Sequence, residues 1–168
     1  NANWSWDWTT DVTDYRTLLA NAVTLQVYID TWVSPGWEVT ITFEMTEGTP
    51  AVEAYQVVNL WNYGYLSYGN AINPIEDYLT PITLTADANA HLAKVRIFQT
   101  GHGFGFSDNA AEFSAKTHHL LVNGVADQDF PNFLWRDDCA LNPVSPQAGT
   151  WQYNRAGWCP GDDATPFD

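Results

Sequence analysis

The chain has 168 residues, enough for one well-buried domain or at most two small ones, and no apolar run reaches the ~18 residues of a membrane-spanning helix. Twenty Asp and Glu against six Lys and Arg give a net charge of -14, which repels a phosphate backbone and excludes nucleic acid as a partner. Nine tryptophans among 15% aromatic residues suit sheet faces that hold sugars.

The pattern is β from the start. Trp4, Trp6 and Trp8 alternate with polar neighbours, as on a half-buried strand. A Trp-rich edge of this kind invites association, so an upstream domain or a neighbouring subunit is expected to cover those three residues. Residues 1–22 are therefore read as an N-terminal strand and connector that closes an upstream domain, with one short helical turn at 15–20. Residues 23–32 alternate for a full strand length, and Ser34-Pro35-Gly36 turns the chain. Alternation resumes with Trp37, Val39, Ile41, Phe43 and Met45 on one face, until Gly48-Thr49-Pro50 ends the expected hairpin. Further strands are predicted at 53–60, 82–86, 91–99, 118–122 and 151–153, with a second helical turn at 75–79. Many short antiparallel strands with two alternating faces indicate an all-β sandwich, and a jelly roll over residues 23–168 is the first choice.

Cys139 and Cys159 are the only cysteines. An even count without close metal-ligand partners favours one disulfide over a zinc site. It places the protein in an oxidising compartment: secreted, extracellular or periplasmic. A bridge closing a loop of about 20 residues contributes ~3 kcal/mol if unstrained. The loop carries Trp151, Arg155 and Trp158. A guanidinium holds carboxylates or sugar oxygens by paired hydrogen bonds, and indole faces stack on sugar rings. The competing structural reading pairs Arg155 with Asp137 or Asp138 and places the tryptophans in the core.

Several segments in order then point to one family. They are Trp6-Asp-Trp-Thr-Thr-Asp-Val-Thr-Asp-Tyr15, Tyr28-Ile-Asp-Thr-Trp32 with Pro35-Gly36-Trp37, and Gly48-Thr49-Pro50. Thr100-Gly-His-Gly103, Ala111-Glu-Phe113, Lys116-Thr-His118 and Val122-Asn-Gly124 follow. Asn142-Pro-Val-Ser-Pro-Gln-Ala-Gly-Thr-Trp151 and Arg155-Ala-Gly-Trp-Cys-Pro-Gly161 complete the series. The whole resembles the peptide-N-glycosidase F family, across its second domain and the end of its first.

That resemblance implies two adjacent jelly-roll-like domains and hydrolysis of the glycan–asparagine amide of glycoproteins, without metal or cofactor. Acidic residues and tryptophans line the cleft between the domains in such proteins. By motif, Glu112 matches the acidic residue of the second domain, and Arg155 and Trp158 match its arginine and tryptophan. Asp30 and Trp32 fall where the family has an acidic residue and a tryptophan on a first-domain strand. The family's principal catalytic aspartate lies upstream of every matched segment, so the chain reads as incomplete without an upstream half. Ala110 and Ser114 stand where the family has cysteines beside its glutamate.

Other readings compete. A non-catalytic extracellular module, structural or glycan-binding, would reuse the same fold. His118 and His119, with His102 or His91, resemble the copper ligands of ascorbate-dependent monooxygenases. Neighbours on a strand point to opposite faces, which argues against a shared metal. Asp127, Asp129, Asp137, Asp138, Asp162 and Asp163 are candidate calcium ligands in loops, but no EF-hand spacing links them.

Overall fold

A computed structural model of the chain describes residues 5, 7–29, 34, 36–68, 72–103, 111–124, 128–142 and 149–168. The chain divides into two compact units, one of Asn1–Thr9 with Lys94–Asp168 and one of Thr10–Ala93.

The first unit is built on an antiparallel pair of strands, β1 at Lys116–Leu121 and β2 at Asp129–Leu134. Lys116 faces Leu134 and Leu121 faces Asp129 across the pair. The chain leaves β1 through Asn123 and Gly124, at φ 56° and 66°. Glycine adopts this left-handed backbone freely, and asparagine tolerates it better than most residues. The β1 expectation at 118–122 holds with its start two residues earlier. Alternation half-buries His118 and Leu120 and exposes His119 and Leu121.

Past β2 the chain forms the core of this unit. Arg136 and Arg155 form an isolated antiparallel bridge, with backbone N–H donors 2.8 and 3.1 Å from the opposing carbonyls. Cys139 starts a 3₁₀ turn, Cys139–Leu141, and its disulfide to Cys159 ties that turn to the segment after Arg155. Both cysteines, Ala156 and Leu134 are buried. Two glycines make this docking possible. A Cβ on Gly101 would lie 1.7 Å from the Ala111 carbonyl oxygen, and one on Gly157 would lie 2.5 Å from both the Gln99 carbonyl oxygen and Leu134. Gly157 also sits at φ +75°, so any side chain there meets steric and backbone strain together.

Three polar networks tie down the edges of the unit. Arg136 grips both carboxylate oxygens of Asp138 at 2.9 and 2.8 Å and reaches Asp162 at 2.7 Å. Its hydrogen bonds hold the Asp138 carboxyl below the usual carboxylate range. Ile97 bridges Phe167, and Arg96 holds both oxygens of Asp168 at 2.6 Å with Lys94 at 3.1 Å. The Arg96 hydrogen bonds lower the Asp168 carboxyl to about 2. His119 lies 2.8 Å from an Asp129 oxygen across the strand pair.

The second unit contains a 3₁₀ turn at Thr13–Tyr15 running into the four-residue helix α1, Arg16–Leu19, and another 3₁₀ turn at Ile75–Asp77. These are the two helical turns expected from the sequence. Trp61 donates its indole N–H to the Thr80 carbonyl at 3.1 Å, and the Tyr63 hydroxyl donates to the Tyr78 carbonyl at 3.1 Å.

The expected strands at 23–32, 37–45, 53–60 and 82–86 form no ladder among the described residues, and 91–99 contributes only the Ile97 bridge. Val39, Ile41 and Phe43 are 46–48% exposed. Alternation decides which residues share a face, whereas a ladder also needs a partner strand within ~4.8 Å. At 151–153, where a strand was expected, the chain turns and Tyr153 N–H donates to the Thr150 carbonyl at 3.0 Å. The physical reason lies in Arg155, whose guanidinium gathers the Thr150 and Tyr153 carbonyls. Trp4 and Trp6 lie outside the described residues, and Trp8 is half exposed. Little helix, one antiparallel pair and one disulfide make this a mainly-β protein.

Candidate functional site

The segments 100–103, 111–113 and 150–158 converge in the first unit. Glu112 is threaded between the other two by its backbone. Its N–H donates to the Gly103 carbonyl at 3.1 Å, and its carbonyl accepts from the Ala156 N–H at 2.9 Å. Gly101 N–H closes the set by donating to the Ala156 carbonyl at 3.0 Å. These bonds require close backbone approach at Gly101, which explains glycine there.

At the centre, Arg155 Nη1 lies 3.1 Å from Glu112 Oε1, with the two side chains only 2% and 14% exposed. Glu112 Oε2 accepts from the Gly103 N–H at 3.3 Å. The guanidinium also donates from Nε to the Tyr153 carbonyl at 3.1 Å, and from Nη2 to the Thr150 carbonyl and hydroxyl. Two rings lie against it, with the guanidinium carbon 4.7 Å from the Trp158 centroid and 5.2 Å from that of Phe113. Each such cation–π contact contributes ~0.5–2 kcal/mol. Burial lowers the pKa of the Arg155 guanidinium and Glu112 raises it again, but a guanidinium keeps its proton at any physiological pH.

A buried charge of this kind survives only if it is paired and hydrogen-bonded. Arg155 satisfies that condition through Glu112 rather than through Asp137 or Asp138, which the structural reading of the sequence had offered as partners. Arg136 takes Asp138 instead.

Trp158 is fixed at both ends. Its indole N–H donates to the Gly101 carbonyl at 2.7 Å, and its ring lies 4.6 Å from that of His102, tilted by 33°. His102 Nε2 lies 2.9 Å from the Thr100 hydroxyl. Loss of water around the His102 ring lowers its pKa below 6.5; Glu112 opposes that shift and Arg155 reinforces it.

The structure thus joins three of the sequence candidates, Glu112, Arg155 and Trp158, with the Cys139–Cys159 disulfide behind them. Trp151 is half-buried in the turn that presents Thr150, and makes no ring contact with Arg155 among the described residues. Asp30 and Trp32 lie outside the described residues. The geometry adds His102, Phe113, the Gly101 carbonyl and Thr150. Ala-Glu-Phe and Thr-Gly-His-Gly were visible as motifs, but nothing in their spacing tells that a ring and a carbonyl from them seat Arg155 and Trp158.

For the metal readings, His118 is half-buried on β1 while its neighbour His119 is exposed against Asp129. Asp138 and Asp162 are committed to Arg136. No group of three or more His, Cys, Asp or Glu among the described residues is placed to share an ion. No helix among those residues is long and apolar enough to cross a membrane.

The sequence that builds this disulfide-stapled, mainly-β protein matches a known family. The family description "Peptide-N-glycosidase F, C terminal" fits residues 70–168, so this chain belongs to the peptide-N-glycosidase F family. A curated relative, peptide-N(4)-(N-acetyl-beta-D-glucosaminyl)asparagine amidase F of Elizabethkingia miricola, is 31% identical over 160 residues. The match covers 90% of this chain and 44% of that protein, so the chain spans less than half the length of its relative. No solved structure matches.

Proposed function

We propose that the chain is the C-terminal part of a glycan-releasing amidase, which hydrolyses the bond between an N-glycan and its asparagine in glycoproteins. The observation that carries this reading is the buried Arg155–Glu112 pair, with Trp158 and Phe113 against the guanidinium, in a chain whose curated relative is named as such an amidase. Amide hydrolysis needs a group that orients and deprotonates water, and donors for the developing oxyanion. Glu112 is the water-positioning carboxylate. Arg155 acts on the substrate through Glu112, because its donors already hold Glu112, Thr150 and Tyr153. Trp158 offers a ring face to a sugar, with Trp151 beside it in the same loop.

Asp30 and Trp32 complete the acidic and aromatic sets in this proposal, and an upstream domain supplies the principal aspartate. The jelly-roll sandwich over residues 23–168 belongs to the same reading. Secretion to an oxidising compartment follows from the disulfide. Water attacks the asparagine side-chain carbonyl, the amide bond between that carbonyl carbon and the nitrogen breaks, and the nitrogen takes up a proton and leaves on the glycan as a glycosylamine. Asparagine becomes aspartate. The test is to incubate a denatured N-glycoprotein with the protein and its upstream half, then read the glycosylated positions by mass spectrometry. Conversion of asparagine to aspartate is the expected product, and glycosites left intact would overturn the reading.

The second reading, a non-catalytic extracellular binding or assembly module, draws on the exposed apolar faces of the second unit, where Val23, Leu25 and Val27 are 50–57% exposed. A monodisperse monomer at high concentration would count against it.

A further inference from the structure

The first unit holds a groove of about 380 Å³ on the Gly157 side of the segment that carries Arg155 and Trp158. Its volume falls within the ~300–1,000 Å³ of small-molecule sites. Phe133, Trp135 and Phe167 supply its aromatic lining, and Asn132 and Asp137 supply side-chain polar groups. The Ile97–Phe167 bridge holds the far wall in place. Of these residues, Asn132, Trp135 and Asp137 make no side-chain hydrogen bond or ion pair among the described residues. The Arg136 guanidinium on the same lining, by contrast, already donates four hydrogen bonds, to Asp138, Asp162 and the Asp163 carbonyl, and its charge is met by two carboxylates.

That inventory selects a ligand chemistry. An anion would meet Asp137 without an available cation, since the Arg136 charge is already met. A bare metal ion finds no cluster of three ligands. A purely apolar ligand would strand the amide, the indole N–H and the carboxylate away from water. A neutral polyhydroxyl ring satisfies all of them. Its hydroxyls donate to Asp137 and Asn132 and accept from the Trp135 indole, while its C–H face lies on the aromatic rings. We propose that the groove lined by Asn132, Phe133, Trp135, Asp137 and Phe167 is a binding subsite for a neutral sugar residue, separate from the Glu112–Arg155 site.

The inference rests on the glycan-amidase reading only for the choice of probe. The 168-residue chain is titrated calorimetrically with a free, neutral, high-mannose oligosaccharide, in parallel with Asp137→Ala and Trp135→Phe. The Phe substitution keeps a ring and removes only the indole N–H, and Asp137 is exposed, so unchanged thermal unfolding confirms that both variants fold. Saturable binding is expected, weakened about tenfold in each variant, the size of one lost hydrogen bond to a polar ligand. Absence of saturable binding at millimolar oligosaccharide, or equal affinity in the parent and both variants, would overturn the proposal. Glu112→Gln is expected to bind the free oligosaccharide as the parent does. Saturable binding by the parent together with intact glycosites when the proposed upstream domain is supplied would remove the amidase reading and keep the groove, whereas glycan release by a parent whose groove binds nothing would remove the groove alone.

Discussion

Around Arg155, order comes from polar bonds drawn from several separate segments of the chain. A buried arginine is held by one carboxylate, three oxygens of the 150–153 turn and two aromatic faces, with a disulfide behind it. The unit of Thr10–Ala93 is organised differently. Its clearest sequence feature, the alternation through 23–29 and 37–45, ends in side chains that are about half exposed or more, while polar contacts form elsewhere in it, in the exposed Arg16–Glu53 pair and in bonds that link Tyr63, Tyr78, Asn73 and Ser67. The comparison teaches that in this protein apolar periodicity and structural order lie in different places. The tightly determined region is the one with the weakest periodicity and the densest chemistry.

Breaking the charge pair is expected to have the largest effect. Glu112→Ala strands the Arg155 charge in a buried site, and such uncompensated burial costs ~3–5 kcal/mol. Chemical denaturation read on the first unit checks it, and a loss below 1 kcal/mol would mean that Arg155 finds water or another partner. Removing the disulfide with Cys139→Ser and Cys159→Ser together is expected to cost ~3 kcal/mol through the chain entropy of the opened loop, measured as a fall in Tm against the parent under oxidising conditions.

Acid is expected to act through the histidines. Desolvation lowers both His102 and His118 from 6.5 in the folded protein, the latter with help from the charge on His119. The unfolded chain then takes up protons that the folded one refuses, so stability is full above the unfolded value and declines as pH falls below about 6.5. His102→Gln should flatten part of that decline in unfolding curves collected across the window. The smallest effect belongs to the second unit: Val39→Ser on an exposed side chain should change stability by less than ~0.5 kcal/mol. A larger loss would show that this face is covered in solution and would narrow the contrast between the units.

The family was legible in the ordered motifs, and so were both helical turns and β1. The disulfide followed from two cysteines and their context. The strands expected at 23–32 and 37–45 were read from alternation, which carries no information about a partner or its register. The turn at 151–153 escaped because Trp151 and Tyr153 alternate like strand residues, while the deciding interaction comes from Arg155 donating back to Thr150 and Tyr153. The Arg155–Glu112 pair joins positions 43 residues apart, and with acids so far in excess of bases the sequence offered Asp137 and Asp138 equally well as partners. What selects Glu112 is backbone registry: Ala156 donates to the Glu112 carbonyl and so sets the two side chains next to each other.

The most direct test of the account is glycan release by Glu112→Gln when the proposed upstream domain is supplied. The glutamine still offers an oxygen to Arg155 but cannot take a proton from water. The account predicts a folded variant with unchanged affinity for free oligosaccharide and glycan release reduced at least ~100-fold, the scale of lost general-base catalysis. Release at the parent rate would contradict it.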